Sequence, residues 1–302
     1  MLRARLIVNP AAGAGRTLRK WPVIRDFLRR IGLLFEHDLT EAPHHAMELA
    51  REAVRKGYEL IVSVGGDGTI NEVVNGLHSS GGLGSVTLGI ISTGTGSDYI
   101  RTLGIPRAPD EACRRLLVPA KRVVDLGRVE YGNGTARAER LFVNFAGLGF
   151  DAEVARQTSQ RFKRLGGMPA YLMGLLSTLA SHQNRDISLG IDGELNEKRV
   201  CAVVASNGRY GGGRMFVAPQ ADPGDGLFDV LTIGDVSRPE LVWNLPRIYR
   251  GTHLTHPKIS MVRGREIEVS SRQRMYLQAD GEFLGEAPAR FTALPSALSV
   301  AA

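Results

Sequence analysis

Leu60-Ile61-Val62-Ser63-Val64-Gly65-Gly66-Asp67-Gly68-Thr69-Ile70-Asn71-Glu72-Val73-Val74-Asn75-Gly76-Leu77 decides the fold class. Leu60 to Val64 is a short apolar run of strand length, and Gly65-Gly66-Asp67-Gly68 stops it. Ile70, Val73, Val74 and Leu77 then fall on one helical face. The unit is strand, tight glycine turn, helix. The same unit recurs on either side. Upstream, Leu6 to Asn9 reads as a strand, and Trp21, Ile24, Leu28 and Ile31 repeat at helical spacing. Leu33 to Leu39 is a second strand, followed by a helix on Ala46, Leu49, Ala50, Ala53 and Val54. Downstream, Thr87 to Ile91 is a fourth strand, broken by Ser92-Thr93-Gly94-Thr95-Gly96. Such alternation over the first ~125 residues is the pattern of a parallel sheet with crossover helices.

The texture changes after Lys121. Short strand signals follow at Val123 to Val129, Leu141 to Phe145, Ile187 to Ile191, Val200 to Ala205, Phe228 to Ile233, Ile259 to Val262, Ile267 to Val269 and Met275 to Gln278. Turns rich in Gly, Asp, Asn and Pro separate them, which predicts a β-sandwich or barrel-like second domain. Helical segments near Tyr171 to Ala180 and Pro239 to Tyr249 interrupt it. The expected organisation is an α/β nucleotide-binding domain with a parallel sheet over 1–125, followed by a β-sandwich domain with helical inserts over 126–288. The tail from Ala289 returns to either domain and could complete the first.

Composition narrows the class. The 302 residues are 43% apolar, enough for a packed core, and the 36 glycines imply many tight turns. The net charge of +7 suits nucleotides, nucleic acid or an anionic membrane face, although a basic soluble protein needs no such partner. Met1 to Val8 is strand-like and does not read as a signal peptide. Tyr171 to Ala180 is about half the length of a spanning helix. Cys113 and Cys201 make neither a disulfide framework nor a metal site, so a reducing cytoplasm is expected.

The chemistry lies in the turns. Asn9-Pro10-Ala11-Ala12-Gly13, Gly65-Gly66-Asp67-Gly68-Thr69 and Gly94-Thr95-Gly96-Ser97-Asp98 each follow a strand. In an open α/β sheet, ligands sit beyond the carboxyl ends of the strands, so the three turns should converge. Glycines let backbone N–H groups approach phosphate oxygens. Asp67 within such a turn would repel phosphate unless a cation such as Mg²⁺ intervenes; alternatively it caps the following helix. Asp98 and Asp125 read singly as cap or turn residues. Asp222-Pro223-Gly224-Asp225-Gly226-Leu227 could present oxygens to a hard cation, or be a plain hairpin turn. Asp280-Gly281-Glu282 is similarly turn-like.

Several signatures are missing. No Gly-x-x-x-x-Gly-Lys-Ser/Thr run exists. Gly147-Leu148-Gly149-Phe150-Asp151-Ala152 fits the loose dinucleotide pattern but lacks the acidic residue about 20 positions on. The histidines, His44-His45 included, have no metal-ligand spacing, and no serine sits in a Gly-x-Ser-x-Gly elbow.

The ordered set of motifs resembles the diacylglycerol kinase catalytic superfamily, in its bacterial soluble lipid kinase branch. It runs through Asn9 to Gly13, Gly65 to Glu72, Gly94 to Asp98, Val124-Asp125-Leu126-Gly127, Asn144 to Asp151, Asp225-Gly226-Leu227 and Asp280-Gly281-Glu282. The Gly-Gly-Asp-Gly-Thr run is shared with NAD kinases and phosphofructokinases; the whole set is far more specific. The resemblance implies ATP contacts at Asn9, Pro10, Ala11, Ala12, Gly13, Thr40, Gly66, Asp67, Gly68, Thr69, Ile70, Asn71, Glu72 and Thr95. It implies a Mg²⁺ site on Asp222, Asp225 and Leu227, the first and last through backbone oxygens, with Asp98 and Asp125 in an acidic network around it. Glu282 would be the general base, and with Asp67 it forms the expected catalytic pair. One departure stands out: Ser97 occupies a position where the family pattern reads Asn.

The expected activity is transfer of the ATP γ-phosphoryl group to a lipid hydroxyl, on diacylglycerol or a related lipid, within phospholipid metabolism. The expected partners are ATP and a lipid met by peripheral contact at a membrane surface, with Arg161-Phe162-Lys163-Arg164-Leu165 as one candidate contact. No nucleic acid is expected, and a homodimer is compatible with the chain. An NAD kinase is the rival enzyme reading, and a non-catalytic lipid- or nucleotide-binding regulator the rival of another class. Retention of Asp67, Asp225 and Glu282 argues against the regulator.

Overall fold

The computed structural model describes residues 3–117, 120–133, 136–162 and 167–302. The chain forms two units: Met1–Asp125 with Ser296–Ala302, and Leu126–Pro295.

The first unit runs β1 (Ala4–Val8), α1 (Ala12–Arg30), β2 (Phe35–Leu39), α2 (His45–Arg55), β3 (Leu60–Gly65), α3 (Asp67–Ser79), β4 (Thr87–Ser92), α4 (Asp98–Leu103) and α5 (Pro109–Arg115). The strands pair in parallel in the order β2-β1-β3-β4. β1 and β3 are buried along their whole length because helices cover both faces. Ala4, Leu6, Val8, Leu60, Val62 and Val64 alternate onto one face, against Trp21, Ile24 and Leu28 of α1 and Cys113 of α5. Ile7 and Ile61, turned the other way, are fully buried as well. α2 and α3 pack on each other and on β1 and β3.

The second unit runs through β5 (Lys121–Asn133), β6 (Ala136–Phe142), β7 (Phe145–Gly149), α6 (Phe150–Gln160), α7 (Gly167–Ser181), β8 (Arg185–Ile191), β9 (Glu194–Val200) and β10 (Ala202–Ser206). It continues with β11 (Phe228–Ile233), α8 (Arg238–Tyr249), β12 (Ile259–Gly264), β13 (Glu266–Ser270), β14 (Tyr276–Ala279), β15 (Glu282–Glu286) and β16 (Ala289–Ala301). One sheet is antiparallel, in the order β12-β11-β10-β7-β14-β15. Facing it, β13 pairs with β8 and with Ala289 to Thr292 of β16. The Phe142 ring stacks on Phe228 at 5.4 Å and meets Phe291 edge-on at 6.4 Å, joining the two layers in a single apolar core. Rings so placed dominate the packing of such a core.

Three details differ from the sequence expectation. The run Leu141 to Phe145 is not one strand. It breaks between β6 and β7 because Asp280 takes the backbone N–H groups of Val143, Asn144 and Phe145. The run Val200 to Ala205 breaks at Cys201, whose N–H donates to Ile233 and whose carbonyl accepts from Phe150. α6 is a helix that the strand-dominated reading did not anticipate. The tail serves both units: Ala289 to Thr292 pairs with β13, and Ser299 and Val300 pair in parallel with Thr87 and Leu88 of β4.

Candidate active site

In the first unit the three glycine turns meet beyond the ends of β1, β3 and β4. Asn9, just past β1, donates its amide to Thr69 Oγ1 at 3.0 Å, and its Oδ1 accepts the N–H of Ala11 at 3.0 Å. Thr93 and Gly94 both donate backbone N–H groups to the carbonyl of Gly65, at 2.8 and 3.1 Å. A Cβ on Gly94 would lie 2.6 Å from Gly66 Cα, so the second and third turns touch backbone to backbone. Gly13 is left-handed, at φ 62°, and a Cβ there would stand 2.7 Å from the Thr93 carbonyl oxygen. Only glycine meets both demands at low cost. Ala11, Gly68 and Thr95 are exposed at the tips of the three turns. Thr40, at the end of β2, is buried, and its N–H donates to Val8.

Asp67 is engaged by backbone. Its Oδ2 accepts from Ser97 N–H at 2.9 Å, and its Oδ1 accepts from Asp98 and Tyr99 N–H at 3.0 and 3.2 Å. Sequence alone left Asp67 as a cation-facing carboxylate or a cap for its own helix. The structure makes it a cap for α4, reaching across from α3, where a carboxylate also meets the positive end of the helix dipole. Asp98 shares the spot: a Cβ on Gly96 would fall 2.9 Å from Asp67 Oδ2 and 3.4 Å from Asp98 Oδ2. Ser97 is left-handed, at φ 58°, and its hydroxyl bonds Ser92 Oγ at 2.7 Å. Asn adopts that backbone more readily than Ser, and the Asp67 bond to Ser97 N–H helps to hold it here.

Other predicted residues lie deeper. Ile70 is core, and Asn71 is buried within α3, bonded by Asn75. Glu72 accepts the N–H of Ala46 at 3.2 Å, which fixes the start of α2. Asp125 is buried and accepts the N–H of Ser296 at 2.7 Å, anchoring the bend of β16.

In the second unit, Asp280 and Gly281 have φ 47° and 83°, the two positive values of a type I′ hairpin joining β14 to β15. Glu282 is the first residue after that turn. Its Oε2 accepts from Arg140 Nη2 at 2.7 Å, and the carboxylate remains partly exposed. Arg140, on β6, is 142 positions away in sequence, which is why no local pattern pointed to it. Asp280 engages both carboxylate oxygens with three backbone N–H groups, which ties the hairpin to the break between β6 and β7.

The turn before β11 carries the remaining predicted ligands. Asp225 N–H donates to the Asp222 carbonyl at 3.3 Å, and Asp225 Oδ1 accepts Leu227 N–H at 3.0 Å. Arg263 stands 3.8 Å from the other Asp225 oxygen and 3.9 Å from Asp229, whose pKa burial raises. Among the described residues no three Asp, Glu, His or Cys side chains are grouped to hold an ion. An ion at this turn would therefore rest on backbone carbonyls as well as Asp225. That oxygen-only donor set fits a hard dication.

Comparison with known proteins follows the same division. Residues 3–129 match the diacylglycerol kinase catalytic domain, and 144–302 match the YegS C-terminal NAD kinase beta sandwich-like domain. A diacylglycerol kinase of Bacillus subtilis is 30% identical, over 97% of this chain and 94% of its own. One from Mycobacterium tuberculosis is 29% identical, over 97% and 93%. A crystal structure from Bacillus anthracis superposes with a TM-score of 0.79 at 25% identity, covering 99% of this chain and 97% of that one. The chain belongs to the diacylglycerol kinase catalytic family, a family of lipid kinases.

Proposed function

We propose that this family member transfers the γ-phosphoryl group of ATP, in the presence of Mg²⁺, to the hydroxyl of diacylglycerol or a closely related lipid. The observation that carries the reading is the set of three glycine turns tied to one another beyond β1, β3 and β4. Their backbone groups would receive the polyphosphate, with Asn9 to Gly13, Gly66 to Thr69 and Thr95 nearest to it and Thr40 at its side. Ile70, Asn71 and Glu72 act from behind, by seating α3. Asp67 contributes by holding the third turn in place, beside Asp98.

In the second unit, Asp225 with the carbonyls of Asp222 and Leu227 would hold the Mg²⁺. Bound there, the ion would offset negative charge that spreads over the phosphoryl oxygens during transfer. Glu282 accepts the proton of the lipid hydroxyl as the new P–O bond forms, and Arg140 orients its carboxylate. The rest of the catalysis is positioning and charge.

A lipid acceptor requires contact with a bilayer. Among the described residues no helix is long and apolar enough to cross one. α7 and α8 instead pack together with Leu172, Met173, Leu176, Val242 and Trp243 facing solvent, Trp243 at 83% exposure. An interfacial tryptophan with aliphatic neighbours, on a chain of net charge +7, suits peripheral contact with an anionic cytoplasmic leaflet. Of the basic segment Arg161 to Leu165, residues 163–165 lie outside the described residues. Flotation with phosphatidylglycerol vesicles tests the contact, and Trp243→Ala should reduce it.

The activity is tested with purified protein, labelled ATP, Mg²⁺ and vesicles containing diacylglycerol, phosphatidylglycerol, a sphingoid base or an isoprenoid alcohol, with NAD in a parallel reaction. Label on a lipid phosphate is expected. Label on NAD alone would overturn the reading.

A further inference from the structure

The motif Asn144 to Asp151 ends on a carboxylate that the proposed reaction does not use. Asp151, in the first turn of α6, is partly buried and packs against Gly147, where a Cβ would fall 2.6 Å from Asp151 Oδ2. That same oxygen accepts from Nε2 of Gln278 at 2.8 Å. Gln278 lies on β14 and is 1% exposed. Its Oε1 accepts the N–H of Gly281 at 2.8 Å, inside the hairpin that presents Glu282.

The order of these bonds matters. An amide has a donor end and an acceptor end, and one orientation alone makes both contacts. Flipped, the NH₂ group would confront the Gly281 N–H, and Oε1 would confront the carboxylate. Asp151 therefore selects the orientation in which Gln278 grips the turn. The strand ladder also slips here: Leu277 faces Gly285, whereas Gln278 faces Phe283. Such a bulge re-aims the side chains beside it. Burial pushes Asp151 up to about 6, against the pull of Gln278 and of the backbone N–H groups of Asp151 and Ala152.

We propose that Asp151 and Gln278 are positioning residues that fix the Asp280-Gly281-Glu282 hairpin, and so the place of the Glu282 carboxylate. This rests on the reading of Glu282 as proton acceptor. The holds on the hairpin among the described residues include Asp280 on the Val143 to Phe145 backbone, Arg140 on Glu282, and Gln278 on Gly281. The last of these depends on a carboxylate two hydrogen bonds removed from the turn.

Exchange of the two side-chain chemistries tests it. Gln278→Glu sets two carboxylates together, and kcat for diacylglycerol phosphorylation should fall on the order of 10²-fold with KM for ATP unchanged, the usual effect of a misplaced catalytic group. In Asp151→Asn with Gln278→Glu, the new amide donates to the new carboxylate, whose second oxygen accepts Gly281 N–H. The double variant should recover kcat to within about tenfold of the parent, a coupling that independent sites do not show. Gln278→Leu, which buries no charge, covers the case in which Gln278→Glu fails to fold; it should melt as a folded protein and lose kcat similarly. A double variant no better than the product of the two single changes overturns the inference. So does a folded Gln278→Leu protein with parental kcat beside an inactive Glu282→Gln variant. A fully active Glu282→Gln protein instead overturns the reading on which the inference rests.

Discussion

Asp67→Ala separates a carboxylate that grips backbone from one that acts on ligand. The side chain takes three N–H groups, at 2.9, 3.0 and 3.2 Å, from Ser97, Asp98 and Tyr99, all buried residues. A hydrogen bond to a charged group contributes about 1.5–3 kcal/mol, and a buried donor left unmade costs about 1–3 kcal/mol. Three donors sharing one acceptor are not additive, and water can enter the vacated space and serve some of them. Together these bring the expected loss for Asp67→Ala to roughly 3–5 kcal/mol, within the about 5–15 kcal/mol of a typical protein, so the variant should still fold at 25 °C. Asp67→Asn retains one acceptor but sets an NH₂ group against a backbone N–H, for a smaller loss of about 1–3 kcal/mol. Urea titration gives the ranking, and amide exchange at Ser97 to Tyr99 locates it. ATP affinity should fall as well, because the third turn loses its anchor. If both variants lose ATP affinity while their urea midpoints stay parental, Asp67 acts on the nucleotide or its cation, and the anchoring account is wrong.

Three further expectations follow. Glu282→Gln should lower turnover by about 10²–10⁴-fold with ATP affinity unchanged, as isothermal titration and initial rates will show; loss of ATP binding would give the residue a different role. Asp225→Ala should raise the Mg²⁺ concentration needed for half-maximal rate, and an unchanged Mg²⁺ dependence would remove the turn before β11 from the metal site. Asp151, raised by burial from its ordinary 3.8 to about 6, should make stability fall as pH rises through that window, because the folded state holds a proton that the unfolded chain has released. The shift corresponds to roughly 3 kcal/mol, which Asp151→Asn should abolish, so the stability difference between the two proteins should change across pH 4 to 6.5 in urea titrations. A difference that stays flat with pH would refute it.

What the sequence disclosed depends on how local its cause is. β3, the Gly65 to Gly68 stop and α3 were legible because strand, turn and helix follow one another within eighteen residues, each with its own period. The meeting of the three turns followed from the topology of an open α/β sheet. The partners of Asp67 did not, because the donors lie 30 to 32 positions away, on another turn. Arg140 on Glu282, and the Asp151–Gln278 pair, span still longer separations, and no residue in them is unusual by itself. The break between β6 and β7 was hidden for the same reason: an apolar run reads as one strand until a carboxylate from β14's hairpin captures its N–H groups. α6 has no helical period strong enough to stand out from the strand signals around it; Gly147 to Ala152 is its strand-to-helix turn.

The last strand sets a schedule for the ribosome. Ser299 and Val300 lie beside Thr87 and Leu88 in the first unit's sheet, although the whole second unit separates them along the chain. While the chain is being made, β4 emerges with one edge unpaired, and it stays so until Ser299 and Val300 have been added. An exposed parallel edge is a site for mispairing, and closing so long a loop is slow. A nascent chain stalled after Pro295 would therefore hold a first unit whose sheet is one strand short. The first unit's sheet therefore cannot close before the second unit has been made, which ties its completion to the order of synthesis.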